Sequence, residues 1–357
     1  MRIVQLIDSL EAGGAERMAV NYANELASQI DFSGLVVSRK EGMLCESVSK
    51  NVNYLFLDRR STFDLKAIFK LKSFVKTNNI EIIHAHGTSF FLGFLLKLVF
   101  FRIKLVWHDH YGDSEFLSKR PDLILKILIP FFNGIVVVNE KLKIWSQNIL
   151  KFENTIYLPN FAIFDKSEIK STFLNGENHK RIVCLANLRL QKNHFLLLEV
   201  AKEIKSSNPD WTFHLIGKDF NDNYSQIIKQ SIVNFDLQNH VFFYGAKKDI
   251  NFILSQSTIA ILTSQSEGLP VAILEYGLNL KAVIATAVGE IPTIIKHNQN
   301  GILVQSGNMN NFYTAILNFI NNKELITTFG KNLNKTILEN FDSKIIIMNY
   351  LNWLKNI

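Results

Sequence analysis

Two glutamates, Glu267 and Glu275, stand eight positions apart in the segment TSQSEGLPVAILEYG. Pro270 is well suited to the first position of a helix, so we predict a helix over about 270–280. At about 100° per residue, Glu275 lies about 40° from Val271 on this helix, within the apolar stripe. An unpaired carboxylate there would be strongly unfavourable, so its side chain must meet a hydrogen-bond donor. A sugar diol is one candidate and a neighbouring Lys or Arg is another.

Glu267 precedes the helix, beside the backbone N–H groups of Gly268 and Leu269. The N-terminus of a helix also favours an anionic ligand. Two acids at different depths would suit one ligand with a charged part and a polyhydroxylated part. The alternative is one structural acid at the helix N-terminus and one salt bridge in the core.

Cations and glycines follow several predicted strands, where ligands of open parallel sheets bind. The segment NLRLQKNHF follows the strand 181–186 and precedes an amphipathic helix, which would suit a phosphate; the alternative is a solvated loop. Glycines that end apolar strands would let a planar ligand lie close to the backbone. A glycine pair also leads into the first helix, but it is not GxGxxG, so a nicotinamide or flavin cofactor is disfavoured. The residues concerned are Asn187, Arg189, Lys192, Gly217, Gly245, Gly13 and Gly14.

Four histidines occupy the ends of the fourth and fifth predicted strands: His84 and His86 in HAHGT, and His108 and His110 in HDHYGD. Such a group could indicate a metal site. We expect, however, that the two members of each pair point to opposite faces of the sheet. At most one of each pair would then face a ligand, and three would be satisfied structural histidines. His110, just beyond its strand, is the functional candidate, and no metal site is predicted.

Apolar, β-branched runs alternate with helical patterns along the whole chain. This alternation is typical of parallel sheets covered by helices on both faces. The chain length of 357 residues suggests about two such domains. We predict a domain over 1–160, a linker over 161–180 and a second domain over 181–340. Strands are predicted at 3–7, 34–37, 52–57, 81–84, 104–107, 134–138, 155–158, 181–186, 211–216, 241–244, 259–262, 283–285 and 302–304.

The composition excludes several classes of protein. Only Cys45 and Cys184 are present, which argues against a disulfide scaffold or a cysteine zinc site and favours a reducing, cytoplasmic compartment. The apolar run FFLGFLLKLVFF is too short to span a bilayer and predicts a buried helix. The net charge is +7 without a nucleic-acid-binding motif, so nucleic acid is not an expected partner. The segment EFLSKRPDLILKILIPFF, 115–132, mixes basic and apolar residues, and we predict peripheral contact with an anionic membrane there.

Taken together, these segments resemble the retaining glycosyltransferases of family 4, which have the GT-B fold. SEGLPVAILE resembles the family's E-x7-E signature, GGAER its first glycine loop, VWHDHYG its acceptor-side histidine motif and LANLRLQKNH its donor-phosphate loop. AVGEIPTIIKHNQNGILV resembles the segment that closes the catalytic domain. The resemblance covers nearly the whole chain. It implies two doubly wound domains facing a central cleft, with a final helix, within 341–357, packing back on the first domain.

The resemblance also implies roles for individual residues. The donor would be a UDP- or GDP-sugar held mainly by the second domain, and the acceptor a saccharide or lipid-linked saccharide in surface polysaccharide synthesis. Glu275 would accept hydrogen bonds from the ribose hydroxyls, Glu267 with the amides of Gly268 and Leu269 would hold the sugar, and His110 would contact it near the reacting carbon. Lys192 would bind the diphosphate, Gly14 would approach it from the other domain, and the backbone of Gly245, Ala246 and Lys247 would meet the base. Asn187 stands where family members often have an arginine, so either Arg189 supplies a second charge or Lys192 acts alone.

The charge on the departing diphosphate is often neutralised by a metal ion held by a DxD motif. No DxD stands at a predicted strand end here, and Lys192 with helix N-termini can supply that stabilisation. We therefore expect no metal and no other cofactor. Two alternatives remain: epimerisation or hydrolysis of a nucleotide sugar on the same fold, and a non-catalytic nucleotide-sugar binder.

Overall fold

The computed structural model describes residues 1–164 and 169–357. These residues form two compact units, one made of Met1–Phe161 with Ser343–Ile357 and the other of Ala162–Asp342. Of the predicted linker, residues 165–168 lie outside the described residues.

Unit 1 is built on a seven-stranded parallel sheet in the order β3-β2-β1-β4-β5-β6-β7. Its strands are β1 (Arg2–Ser9), β2 (Phe32–Lys40), β3 (Asn53–Phe56), β4 (Ile82–His86), β5 (Lys104–Asp109), β6 (Gly134–Val137) and β7 (Thr155–Tyr157). Its α-helices are α1 (Gly14–Leu26), α2 (Leu65–Thr77), α3 (Phe90–Val99), α4 (Leu123–Leu128), α5 (Glu140–Ile149) and, from the C-terminus, α13 (Ser343–Leu354). The central strands are buried on both faces because helices cover both sides of the sheet.

Unit 2 contains a six-stranded parallel sheet in the order β10-β9-β8-β11-β12-β13. The strands are β8 (Arg181–Leu185), β9 (Thr212–Ile216), β10 (Val241–Gly245), β11 (Ile259–Leu262), β12 (Ala282–Thr286) and β13 (Ile302–Val304). The α-helices are α6 (His194–Ser207), α7 (Asn223–Asn234), α8 (Ile250–Ser255), α9 (Val271–Leu278), α10 (Ile291–Ile294), α11 (Met309–Asn321) and α12 (Lys323–Asn340). Strand order changes direction between β8 and β11, so the loops after these two strands lie side by side, at a position where open sheets bind ligands.

The predicted strands are all present, which confirms the two parallel-sheet domains. The predicted buried helix is also present as α3, which buries Leu92, Leu95 and Leu96. Helix α9 is shorter than predicted, because Pro270 has extended backbone angles and serves as its N-cap instead of its first helical residue. Among the described residues, no helix combines the length and the apolar character needed to cross a membrane.

Candidate active site

The centre of the site in unit 2 is an ion pair between Lys192 and Glu267. Lys192 lies in a short 3-10 turn after β8, and Glu267 lies in the loop after β11. Because these strands are neighbours in the sheet, side chains 75 positions apart meet, and Lys192 Nζ lies 2.5 Å from Glu267 Oε1. Glu267 is only 4% exposed. A buried carboxylate of this kind is retained only with a charged or hydrogen-bonding partner.

Hydroxyl groups and backbone contacts hold Glu267 in place. Ser264 Oγ donates to Glu267 Oε1 at 2.6 Å, and Thr286 Oγ1 donates to the Ser264 carbonyl oxygen at 2.6 Å. The loop after β12 closes on the same backbone, since Glu290 N donates to the Gly268 carbonyl oxygen at 2.9 Å. Gly289 has a φ of +55°, and a Cβ there would overlap the carbonyl oxygen of Glu267. Only glycine therefore lets the two loops approach this closely.

Tyr276 fixes the position of the strands behind the ion pair. Its ring is fully buried in α9, and Leu185 N donates to its hydroxyl oxygen at 2.7 Å. The same hydroxyl donates to the Ile261 carbonyl oxygen at 3.2 Å. Strands β8 and β11 pair only near their beginnings, so the tyrosine hydroxyl takes the place of a ladder bond where they separate. Both loops of the ion pair start from this point.

Glu275 lies at the edge of the buried stripe of α9. Its side chain is half-buried, whereas Val271, Ile273, Leu274 and Tyr276 form the buried part of the helix. The predicted contact of its carboxylate with a ligand stays a prediction. It is Glu267, in the loop, that is almost completely buried, because the loops after β11 and β12 close over it.

The other predicted donor residues lie at the same edge of the sheet but have different surroundings. Asn187 Oδ1 accepts from Lys218 N at 2.7 Å, which fixes the loop after β9. Arg189 is exposed, with its guanidinium carbon 4.5 Å from the centre of the Phe220 ring. A Cβ at Gly217 would overlap the carbonyl oxygen of Ala186, so this glycine is required by strand packing.

The loop after β10 begins at Gly245, whose φ of +71° favours glycine. A Cβ at this position would meet no atom of the described residues within 4 Å. Ala246 and Lys247, which follow it, are half-buried.

In unit 1, Gly14 is the first residue of α1, and a Cβ there would also meet no atom within 4 Å among the described residues. Its φ is not in the left-handed region. Packing and backbone conformation in this part of the chain therefore do not demand a glycine at position 14.

The four histidines of unit 1 lie on one face of the sheet. Side chains alternate along a strand, so residues two positions apart share a face, and the expectation of opposite faces was wrong. His86 and His108 are register partners on β4 and β5. The His108 and His110 rings stack at 3.9 Å between centres, and His84 lies parallel to His108 at 5.1 Å.

Only part of this histidine cluster is hydrogen-bonded. His86 Nδ1 lies 2.9 Å from His110 Nε2, His86 Nε2 lies 2.8 Å from Gln5 Oε1, and Tyr350 bonds to His84 Nδ1 at 2.9 Å. In the described part of the chain, His84 Nε2 and both ring nitrogens of His108 have no partner. The expectation of three satisfied histidines is therefore corrected. Ring nitrogens of His84, His86 and His108 lie within 4.8 Å of one another, a spacing that a metal ion could use.

Burial sets the protonation of these rings. Desolvation lowers the pKa of His84, His86 and His108 well below the ordinary value, and neighbouring histidines lower it further. Burial also lowers the pKa of His110 to about 3. His110 is thus neutral at pH 7 and can act in a site only as a neutral hydrogen-bonding group.

Arg120 belongs to the segment 115–132 that was predicted to contact an anionic membrane, but its side chain is buried. Its guanidinium donates two hydrogen bonds to Asp109, from Nη1 at 2.6 Å and from Nη2 at 2.9 Å. It also lies 4.3 Å from the ring centres of Tyr111 and Trp145. The pair fixes the loop that carries His110, and Arg120 adds no charge to a surface for lipid.

Sequence reasoning did not identify Ser264, Thr286, Gly289 or Tyr276 as parts of the site. The signals available were the hydroxyl-rich run after β11 and the glycine of AVGEIP. A hydroxyl-rich loop is common in proteins, so its role becomes visible only when its partners in other loops are known.

Two family models match the chain in succession. Residues 12–161 match "Glycosyltransferase Family 4", and residues 165–336 match "Glycosyl transferases group 1". The chain belongs to glycosyltransferase family 4. In this family-4 glycosyltransferase, the histidine cluster falls in the first matched region and the Lys192–Glu267 pair in the second.

Relatives of this family-4 glycosyltransferase cover most of its length. It is 25% identical over 323 residues to an uncharacterized glycosyltransferase of Haemophilus influenzae, covering 88% of each chain. It is 24% identical over 369 residues to the Escherichia coli UDP-Gal:alpha-D-GlcNAc-diphosphoundecaprenol alpha-1,3-galactosyltransferase, covering 95% of this chain and 92% of the relative. Among solved structures, Anabaena HepE in complex with UDP-glucose superposes with a TM-score of 0.82 at 18% identity, covering 100% of both chains. This likeness establishes the GT-B fold.

Proposed function

We propose that this glycosyltransferase moves a sugar from a UDP- or GDP-sugar to a saccharide or lipid-linked saccharide, with retention of configuration at the anomeric carbon. The observation that carries the donor assignment is the Lys192–Glu267 pair, enclosed by three loops at the carboxyl edge of the unit 2 sheet. A relative that uses UDP-galactose and a solved neighbour that contains UDP-glucose support the donor class. The same relative acts on a diphosphoundecaprenol-linked sugar, which supports the acceptor class.

The ion pair supplies two chemically different groups side by side. A lysine ammonium has three N–H donors, so Lys192 can keep its bond to Glu267 and still donate to diphosphate oxygens. Within the described residues, Lys192 and Ser264 both donate to Oε1 of Glu267. The other carboxylate oxygen, Oε2, would accept a hydrogen bond from a sugar hydroxyl. The diphosphate would therefore lie on the lysine side and the sugar on the glutamate side. Lys192 would offset the charge that develops on the leaving group, without a metal ion.

The remaining donor contacts follow the same arrangement. Half-buried Glu275 would accept from the ribose hydroxyls, and the backbone of Gly268 and Leu269 would bind the sugar beside Glu267. Gly245, Ala246 and Lys247 would meet the base, with Asn187, Arg189 and Gly217 at the margin. In this proposal 181–340 is the donor domain and 1–160 the acceptor domain, with Gly14 near the diphosphate and neutral His110 near the reacting carbon.

Lys192→Ala tests the proposal. We expect kcat/KM to fall about thirtyfold or more, because the transition state loses a charge-assisted contact that contributes roughly 2 kcal/mol. The structural control is the double variant Lys192→Ala/Glu267→Gln, which removes the unpaired buried carboxylate left by the single change. If the double variant recovers both melting temperature and activity, Lys192 has only a structural role and the proposal is wrong.

Three further assays address the reaction itself. Glu275→Ala should raise the donor KM sharply because the ribose loses an acceptor. Incubation with donor alone should give little free nucleotide and no isomerised sugar; rapid turnover without acceptor would instead identify a hydrolase or epimerase. The product's anomeric configuration by NMR should match the donor's, and EDTA should leave the rate unchanged.

We also propose that α4 contacts an anionic membrane, as suits an enzyme of surface polysaccharide synthesis at the inner face of the cell membrane. Leu123, Ile124 and Ile127 are 70%, 61% and 61% exposed, which is unusual for adjacent large apolar side chains. Ile124→Gln/Ile127→Gln should reduce sedimentation with anionic liposomes, whereas Ile144→Gln, at another exposed isoleucine of unit 1, should not. Equal sedimentation of all three proteins would contradict this contact.

A further inference from the structure

A cavity lies within unit 1, at the carboxyl ends of its strands. It has a volume of about 550 Å³ and is lined by Asp8, Arg39, Lys40, Arg59, Thr62 and Phe91, among others. These residues end β1 and β2 or follow β3 and β4 along the chain. The cavity therefore occupies the edge where open parallel sheets bind ligands.

The cavity carries more positive than negative charge. Lys40 Nζ is paired with Glu11 at 2.6 Å, so its charge is offset. The guanidinium groups of Arg39 and Arg59 both approach the carboxylate of Asp8, with nearest separations of 3.9 and 3.8 Å, and the Asp64 carboxylate also attracts the Arg59 charge. Both separations are too long for hydrogen bonds.

Asp8 takes its hydrogen bonds from elsewhere. Ser38 Oγ donates to Asp8 Oδ1 at 2.5 Å and Thr88 Oγ1 donates to Oδ2 at 2.7 Å. Hydroxyl groups thus hold the Asp8 carboxylate in place, without a hydrogen bond from Arg39 or Arg59. In the described residues, Arg59 Nη1 makes no closer polar contact than this 3.8 Å approach.

Arg59 is held in position and almost completely removed from solvent. It is 5% exposed, and it donates from Nε to the Ser61 carbonyl oxygen at 3.0 Å and from Nη2 to the Thr62 carbonyl oxygen at 3.2 Å. Burial lowers the pKa of Arg59 and the like charge of Arg39 lowers it further, while the carboxylates of Asp8 and Asp64 offset part of this shift. An anion between the two guanidinium groups would relieve that repulsion and accept from Nη1, as phosphate groups do with paired arginines.

An apolar rim adjoins this charge. Phe91 lines the cavity, and its ring lies edge-on to Phe63 at 5.9 Å between centres. Phe63 is 67% exposed, so it offers a free aromatic surface beside the two arginines. An anionic group attached to an apolar chain would match both parts.

We propose that this cavity binds a phosphoryl or diphosphoryl group of the acceptor, with Arg39 and Arg59 as its ligands and the Phe63–Phe91 pair beside a lipid chain. The inference rests on the proposed function, because it assigns the anion to the acceptor. It narrows the acceptor class from saccharides in general to phosphorylated ones. Neutral saccharides would then be poor acceptors, since they bring no negative charge to the two adjacent guanidinium groups.

The test is calorimetric titration of the full-length protein with inorganic diphosphate at about 0.15 M salt, where weak surface attraction is screened. Arg39→Gln should weaken binding at one site by about tenfold or more, because a charge-assisted contact is lost. Arg60→Gln is the matched control, since this neighbouring arginine is 84% exposed and pairs with Asp58. Arg59→Gln should act like Arg39→Gln; if it fails to fold, Arg39→Gln alone decides.

Two comparisons separate this site from the donor site. Lys192→Gln should leave the Arg39-dependent binding unchanged, and UDP should bind the Arg39→Gln variant as it binds the wild type. Unchanged diphosphate binding in Arg39→Gln, with UDP binding intact, would overturn the inference alone. Failure of the wild type to bind either UDP or GDP would count against the donor assignment instead.

The source of the anion is tested with farnesyl diphosphate at monomeric concentrations. Tighter binding than inorganic diphosphate, lost in Phe63→Ala, indicates a lipid-linked acceptor. Equal binding of the two probes, still dependent on Arg39, indicates a phosphorylated acceptor without a lipid. Binding of either probe that is independent of Arg39 contradicts the proposal.

Discussion

Acidification should destabilise unit 1 because its sheet buries neutral histidines. The rings of His84, His86 and His108 are 0% exposed, and their pKa values are lowered well below the ordinary value. In the unfolded chain each would titrate near about 6.5. Below that pH the unfolded state binds more protons than the native state, so stability is full above about pH 7 and falls as the pH decreases.

The size of the effect follows from the number of rings. For each histidine that stays neutral in the folded state, the free energy of unfolding falls by about 1.4 kcal/mol between pH 7.5 and 5.5. Three such rings give about 4 kcal/mol, a large part of the roughly 5–15 kcal/mol that stabilises a typical domain. His110 adds to the loss, because burial lowers its pKa to about 3.

The assay is urea-induced unfolding at pH 7.5, 6.5 and 5.5, followed by tryptophan fluorescence. Trp107, Trp145 and Trp353 lie in unit 1 and Trp211 in unit 2, so the signal reports mainly on unit 1. His108→Gln should reduce the pH dependence by about one proton, whatever it does to stability at pH 7.5. His179→Gln, in the other unit, should leave it unchanged. A free energy of unfolding that does not change between pH 7.5 and 5.5 would refute the reasoning.

Three further predictions concern single positions. Gly14→Ala should leave the melting temperature unchanged or raise it slightly, because the new Cβ meets no atom of the described residues within 4 Å, and it should lower donor turnover. Gly289→Ala should lower both the melting temperature and donor turnover, because the new Cβ overlaps backbone atoms and the φ of +55° disfavours alanine. Full activity in Gly14→Ala would remove that residue from the donor site. Arg120→Ala should lower the free energy of unfolding, measured by chemical denaturation, by about 3–5 kcal/mol, because buried Asp109 loses its partner. A decrease below about 1 kcal/mol would contradict the stabilising role of this pair. Tyr276→Phe should lower the free energy of unfolding by about 1–3 kcal/mol, and it should lower kcat by a larger factor than it raises the acceptor KM. An unchanged kcat would show that the hydroxyl does not position the site.

The local sequence pattern was sufficient to predict the strands of both sheets. Apolar β-branched runs of three to six residues, separated by helical patterns, are a property of neighbouring residues and need no knowledge of the fold. The positions just after strands could be identified for the same reason. That is how Lys192 and Glu267 became candidates before their contact was known.

The environment of each candidate side chain depended on tertiary structure. Helical periodicity placed Glu275 in the apolar stripe of α9, but the degree of burial depends on which loops cover a residue, and Glu267 is the more deeply buried of the two acids. The sequence also placed Arg120 in a segment predicted to contact a membrane, because its partner Asp109 belongs to the end of a strand and the two meet only when the loop folds back.

The sequence by itself determined the succession of strands and helices, the two-domain architecture and the membership of glycosyltransferase family 4. The tertiary structure alone decided which polar groups meet: Lys192 with Glu267, the stacked histidines, and Arg39 and Arg59 around Asp8. The physical reason is the range of the interactions. Backbone conformation and amphipathic spacing act over a few residues, whereas these contacts join residues brought together by strand order.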